Sequence, residues 1–240
     1  MEFTPVLHSE WLKIRTLRSL VGALCAIPLA TVAFSALAAA DSDAADTDAL
    51  FSVFFGVSFG QIAAIAFGAT AVAGEFRGGA LRTTLAAVPR RGRWFAAKAV
   101  AIAAPVLVVG LVTAGASLAV GRAVLGTEAD GLTWTEEARG VVGCAVYLTL
   151  MALLAAGLTA LLRSGVATLS VLIPFLLVVS FVVGDVSGSV ADVLPDKAGQ
   201  VVLHETWDGA LGPWSGMAVT ALWTSAALLA GAWRLSGRDA

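Results

Sequence analysis

Six stretches of this chain contain no Asp, Glu, Lys or Arg: Ser19–Ala40, Leu50–Gly74, Ala99–Gly121, Val141–Leu162, Ser164–Gly184 and Gly209–Trp233. Each runs to about 20 residues or more, and at roughly 1.5 Å of rise per residue a helix of that length crosses a ~30 Å hydrocarbon core. The predicted fold class is therefore an all-α integral membrane protein. Its six transmembrane helices fall over approximately 19–40, 50–74, 96–121, 141–162, 164–184 and 211–233. The first stretch is too long for a cleaved signal peptide, and five equivalents follow it. Composition agrees: 58% of the 240 residues are hydrophobic and only 13% charged, too few to cover a soluble domain of this length.

The net charge of −2 hides a strong segregation. Segments 1–18, 75–98, 163 and 234–240 hold 12 of the 15 basic residues, whereas the other three loops hold 13 of the 17 acids. By the positive-inside rule the basic segments and both termini are expected to be cytoplasmic. Trp11, Trp94, Phe95 and Trp233 stand where amphipathic rings meet headgroups. Cys25 and Cys144 lack any metal or redox spacing and read as small apolar side chains buried in helices.

Two basic segments have internal order. In PVLHSEWLKIRTLRS, Leu7, Trp11 and Ile14 recur at i, i+4 and i+7, which predicts an interfacial helix over 5–18 with Glu10, Lys13 and Arg15 projecting to its sides. Between the second and third spans, Leu81, Leu85 and Val88 repeat the same spacing, with Arg82 beside them and Pro89 as a stop. A short helix with one apolar face and a cationic coat suits anionic headgroups or a groove on a soluble partner.

SEWLKIRTLRS (9–19), GEFRGGALRTTLAAVPRRGRWFAAKA (74–99) and LPDKAGQVV (194–202), spread over six spans, resemble bacterial ABC exporter permeases of the ABC-2 family. The most specific part is the run Glu75, Phe76, Arg77, Gly79, Leu81 and Arg82. The resemblance implies one transmembrane permease domain over 1–240 and a cytoplasmic coupling helix over about 78–88 that seats in a separate ABC ATPase subunit. It assigns ATPase coupling to Glu75, Arg77, Leu81, Arg82, Leu85 and Val88. Glu75 is expected to pair with an arginine near the N-terminal segment, Arg15 or Arg18. ATP and magnesium would sit on the partner ATPase and no cofactor on this chain. A second permease chain, identical or related, would complete a pathway in a bacterial plasma membrane for an amphipathic, drug-like or lipid-like cargo, among membrane lipids and with no nucleic acid. The segment before the last span would dip partway back into the membrane, although its five acids argue against deep burial of all of 185–208.

Other motifs fail on context. GVSFG (56–60) has the form of a serine-hydrolase elbow but lies within a span, and neither His8 nor His204 falls within one. Gly56 and Gly60 read instead as a small-residue pair for close helix packing. EEAR (136–139) reads as a polar cap at the start of the fourth span. LSGRD (235–239) echoes an ATPase signature loop, yet the sequence holds no phosphate loop, so the chain is not expected to hydrolyse ATP by itself; the resemblance implies a transport subunit without its own ATPase motifs, not an enzyme. The charge-free cores offer no carboxylate for a proton relay. Phe55, Ser58, Phe59 and Gln61 are the candidates to line a pathway, Gln61 because an unpaired amide is costly in hydrocarbon. Pro28, Pro105 and Pro174 are expected to free backbone carbonyls within their helices. The alternative is a membrane-embedded assembly or regulatory protein whose basic loop binds lipid or a cytoplasmic partner without moving cargo.

Overall fold

A computed structural model describes residues 3–41, 48–78, 80–81, 90–126, 131–179, 192–207 and 209–237. Among the described residues all regular structure is helical. Helix α1 (Phe3–Thr16) turns at Leu17 into α2 (Arg18–Asp41). A short α3 (Ala49–Phe54) and a longer α4 (Val57–Ala73) follow, and α4 ends in a 3₁₀ turn at Gly74–Phe76. Then come α5 (Arg91–Leu125), α6 (Trp134–Leu162), α7 (Gly165–Pro174), α8 (Pro195–Gln200) and α9 (Pro213–Ser236).

Five segments are long and apolar enough to cross a membrane: Arg18–Asp41, Ala49–Phe76, Arg91–Leu125, Trp134–Leu162 and Pro213–Ser236. The chain is a multi-pass membrane protein on that ground. The expected span over 164–184 is represented by α7 and a π-helical turn at Phe175–Val179, where Pro174 interrupts the regular ladder. Residues 180–191 lie outside the described residues, and the far end of that expected span falls among them. The third span begins earlier than expected, at Arg91, and its 35 residues make a rod of about 52 Å at ~1.5 Å per residue.

Helix α6 is the hub. In its most apolar stretch 67% of residues are buried within the chain, against 22% for α2 and 28% for α9. It packs on α4, α5 and α9. Its start carries the cap read from EEAR: Thr133 Oγ1 accepts from Glu136 N, and Thr133 N donates to Glu136 Oε2 at 2.8 Å. Arg163 closes it in the left-handed region at φ 56°, where a non-glycine costs roughly 1–2 kcal/mol, and its amide donates to Thr159 O at 2.8 Å. Cys144 is buried there, but Cys25 is exposed on α2, which turns much of its surface away from the bundle.

The break between α3 and α4 is a packing device. A Cβ at Gly56 would stand 1.8 Å from Thr31 O, and one at Gly60 1.9 Å from Thr31 Oγ1. Only glycine lets α2 come this close. The Gly56 amide freed by the break donates to Ser35 Oγ at 3.1 Å, so no backbone donor is stranded.

Candidate functional site

The N-terminal segment does form a helix, α1, but its buried face is not the predicted stripe. Leu7 is half-buried, Trp11 exposed and Ile14 buried, and the residues set against the bundle are Val6, Glu10 and Ile14. Glu10, expected to project sideways, retains 1% of its accessible surface. The reason lies on α5. Trp94 and Lys98 share one face of that helix at i and i+4. Trp94 Nε1 donates to Glu10 Oε1 at 3.3 Å, and Lys98 Nζ pairs with Glu10 Oε2.

Glu75, on the 3₁₀ turn that ends α4, completes the cluster. Its Oε1 accepts from Lys98 Nζ at 2.8 Å and from Lys13 Nζ at 2.7 Å, while Lys13 also reaches Glu10 Oε1 at 2.9 Å. The expectation of an Arg15 or Arg18 partner is therefore corrected. Both arginines are exposed, whereas Lys13 stands three residues from Glu10 and leans to the same side of α1. Glu75 and Lys98 are 5% and 3% exposed. Among the described residues, two carboxylates and two ammoniums thus meet in a largely dry site.

Burial pulls the Lys13 ammonium toward neutrality, but the Glu75 and Glu10 carboxylates outweigh it and hold its pKa above the usual lysine value. By sequence Lys98 stands just outside the charge-free third core. It lies instead inside the helix, 5.8 Å from the Trp94 ring centroid, in cation–π range. The visible sequence signal is the spacing Trp94–Lys98; its two acidic partners are distant in sequence.

The arrangement joins three elements. α1, the end of α4 and the start of α5 are held by Lys13 and Lys98, each of which pairs with both Glu10 and Glu75. Breaking a buried pair by removing one partner typically costs about 3–5 kcal/mol. Past the cluster, Arg77 is exposed and Gly78 adopts φ 60°, the left-handed conformation glycine allows. Leu81, expected to enter a partner's groove, is buried against the chain's own core. Gly79, Arg82, Leu85 and Val88, and with them most of the expected helix over 78–88, lie outside the described residues.

The pathway candidates gather elsewhere, around a second polar network. Tyr147 Oη donates to Gln61 Oε1, and Gln200 Nε2 donates to Tyr147 Oη at 3.1 Å. Ser58 Oγ donates to Gln200 Oε1 at 3.3 Å, and Gln61 Nε2 returns to Ser58 O at 3.1 Å. Gln61 is thus buried and satisfied within the chain, while Phe55, Ser58 and Phe59 are half-buried. Phe59 stacks on Phe34 at 3.8 Å between ring centroids and meets Phe55 at 6.0 Å. Tyr147 and Gln200 escape the sequence reading, although the chain's one tyrosine inside a span needs a polar partner.

Gln200 belongs to α8, in the segment expected to dip partway back into the membrane. Pro195, Asp196, Ala198 and Gly199 are buried there, so one of the acids weighed against burial is itself enclosed. The segment is clasped again beyond α8. Asp48 caps α3 by accepting from Phe51 N at 2.9 Å, and its Oδ2 meets His204 Nδ1 at 2.9 Å and Glu205 N at 3.0 Å. Burial raises the Asp48 carboxyl, but the His204 contact and the two amides outweigh this and hold it below the usual carboxylate range. Arg139 donates to His204 O at 2.7 Å and lies over the Trp207 ring.

Among the described residues no group of three or more His, Cys, Asp and Glu is placed to hold a metal ion. Compared with protein-family models and with curated proteins, the chain finds no match in either.

Proposed function

We propose that this chain is the transmembrane subunit of an ATP-driven exporter of the ABC-2 type, with both termini and the Glu75–Lys98 loop in the cytoplasm. The single observation that supports this reading best is the buried Glu10–Lys13–Glu75–Lys98 cluster. It stands at the exit of the basic loop and fastens three helices to the point where force on that loop would enter. A separate ATPase grips the loop through Leu85 and Val88, with Arg82 meeting acidic groups on the partner. Leu81 anchors the loop to the bundle. ATP and magnesium act on the partner, and closure there pulls the loop, moving α1, α4 and α5 together because separating them would strand buried charges.

Two copies enclose the pathway in this reading, and α7 with the residues after it completes a sixth span. Phe55, Ser58 and Phe59 present an aromatic, mildly polar surface suited to amphipathic cargo, and Gln61 sets their position through Tyr147 and Gln200. Affinity purification of the tagged chain from its native membrane tests the assignment. An ABC ATPase is expected with the wild-type chain and not with Leu85→Asp. Retention by Leu85→Asp at wild-type yield refutes docking through this loop.

A further inference from the structure

The charged cluster forms only one wall of a larger cavity. About 530 Å³ of space lies between α1, α2, the end of α4 and the start of α7, within the ~300–1,000 Å³ typical of small-ligand sites. We infer that this cavity is a binding site for the phosphate headgroup of an anionic membrane phospholipid, with an acyl chain lying along its apolar wall.

Charge and position identify the occupant. Among the described residues that line the polar side, Lys13, Lys98 and Arg77 stand with Glu10 and Glu75, one positive charge in excess. The two carboxylates are matched by Lys13 and Lys98. The Arg77 guanidinium has no hydrogen bond or ion pair among the described residues, and the Lys13 side chain is still 39% exposed. A phosphodiester carries the one negative charge that this excess calls for, and a guanidinium fits its oxygens in pairs.

The other wall is Leu17, Leu20, Val166 and Leu169. Leu17 and Val166 are 50% and 69% exposed, so the cavity opens sideways between α1 and α7 rather than only along the helix axes. In a membrane-spanning bundle that opening faces lipid at the end of the spans, where headgroups stand. A soluble phosphate would leave the apolar wall bare. A zwitterionic headgroup would bring its own fixed cation toward Lys13 and Arg77.

The test uses the delipidated full chain in detergent and needs no ATPase, so it fails or succeeds independently of the transport reading. Phosphatidylglycerol, phosphatidylcholine and glycerol 3-phosphate are titrated separately, with binding read by native mass spectrometry and by the thermal midpoint. Phosphatidylglycerol is expected to bind and raise the midpoint, phosphatidylcholine to bind several-fold more weakly, and glycerol 3-phosphate to do neither. Arg77→Gln is expected to weaken phosphatidylglycerol about fivefold, the factor equivalent to ~1 kcal/mol for one basic residue near an anionic surface. Val166→Trp, which plugs the mouth, is expected to abolish binding. Undiminished binding by Arg77→Gln, or by a folded Val166→Trp, overturns the proposal. So does glycerol 3-phosphate binding as tightly as the lipid, which would make this a soluble-phosphate site.

Discussion

Lys98 Nζ stands 2.8 Å from Glu75 Oε1, and both side chains are almost wholly withdrawn from solvent. Twenty-three positions separate them, yet they meet where one helix leaves the bundle and the next enters it. Glu75→Ala is expected to destabilise the chain by about 3–5 kcal/mol, because Lys98 loses a partner it cannot replace with water. The thermal midpoint in detergent measures this. Pairing Glu75→Leu with Lys98→Met should recover part of the loss, so the double variant is expected to melt above the less stable single one.

Glycine substitutions on neighbouring helices should have opposite signs. Gly56→Ala drives a methyl into the Thr31 carbonyl and is expected to cost about 1–3 kcal/mol. At Gly22, on α2, an added methyl would meet nothing within 4 Å, so Gly22→Ala should stabilise by about 0.5–1 kcal/mol through helix propensity alone. Thermal midpoints of the two variants decide it.

The Gln61–Tyr147 contact makes a similar claim. Gln61→Leu takes away the acceptor of a fully buried hydroxyl and should cost about 1–3 kcal/mol, while adding Tyr147→Phe should restore some of that loss. An additive double-variant result in thermal unfolding would show the two residues to be uncoupled.

Acid should loosen the clasp at Asp48. Its folded pKa lies below the ordinary value of 3.8, so the stability it contributes is fully present above that value and is lost as pH falls through the lowered folded pKa. Lys13 has the opposite sense: its folded pKa lies above 10.5, so its contribution is present below that value and is lost only as pH rises through the raised one. Thermal midpoints between pH 7 and about 3 should fall for the wild type, and Asp48→Asn should flatten the acid end of that curve.

The segregation of charge predicts sidedness directly. In a chain freed of Cys25 and Cys144, single cysteines at Asp46 and Arg91 should react with an impermeant maleimide from opposite faces of the membrane. Labelling from one face would overturn the orientation.

Five of the six expected spans are legible because length and apolarity act locally: nothing about Ser19–Ala40 or Val141–Leu162 depends on distant partners. The polar cap at EEAR and the close approach at Gly56 and Gly60 are legible for the same reason, although Thr133, which completes that cap, is not read from the sequence. The cluster is only half visible. Glu75 can be marked as needing a cation, but several residues in and just after α1 carry positive charge, and which faces inward depends on how that helix rotates against Trp94 and Lys98. Lys98 counts with the loop because charge near a span end ordinarily signals topology. Asp196 and Gln200 are hidden in a polar segment whose burial is set by α6 and α9, not by its own composition.

The most direct measurement places a photoreactive amino acid at Leu85 and irradiates the chain in its native membrane. An adduct with an ABC ATPase is predicted from that position, and none from the same probe at Trp134, exposed on the far side of the proposed topology. No ATPase adduct from Leu85, or equal adducts from both positions, would contradict the proposal that a nucleotide-driven partner grips this loop.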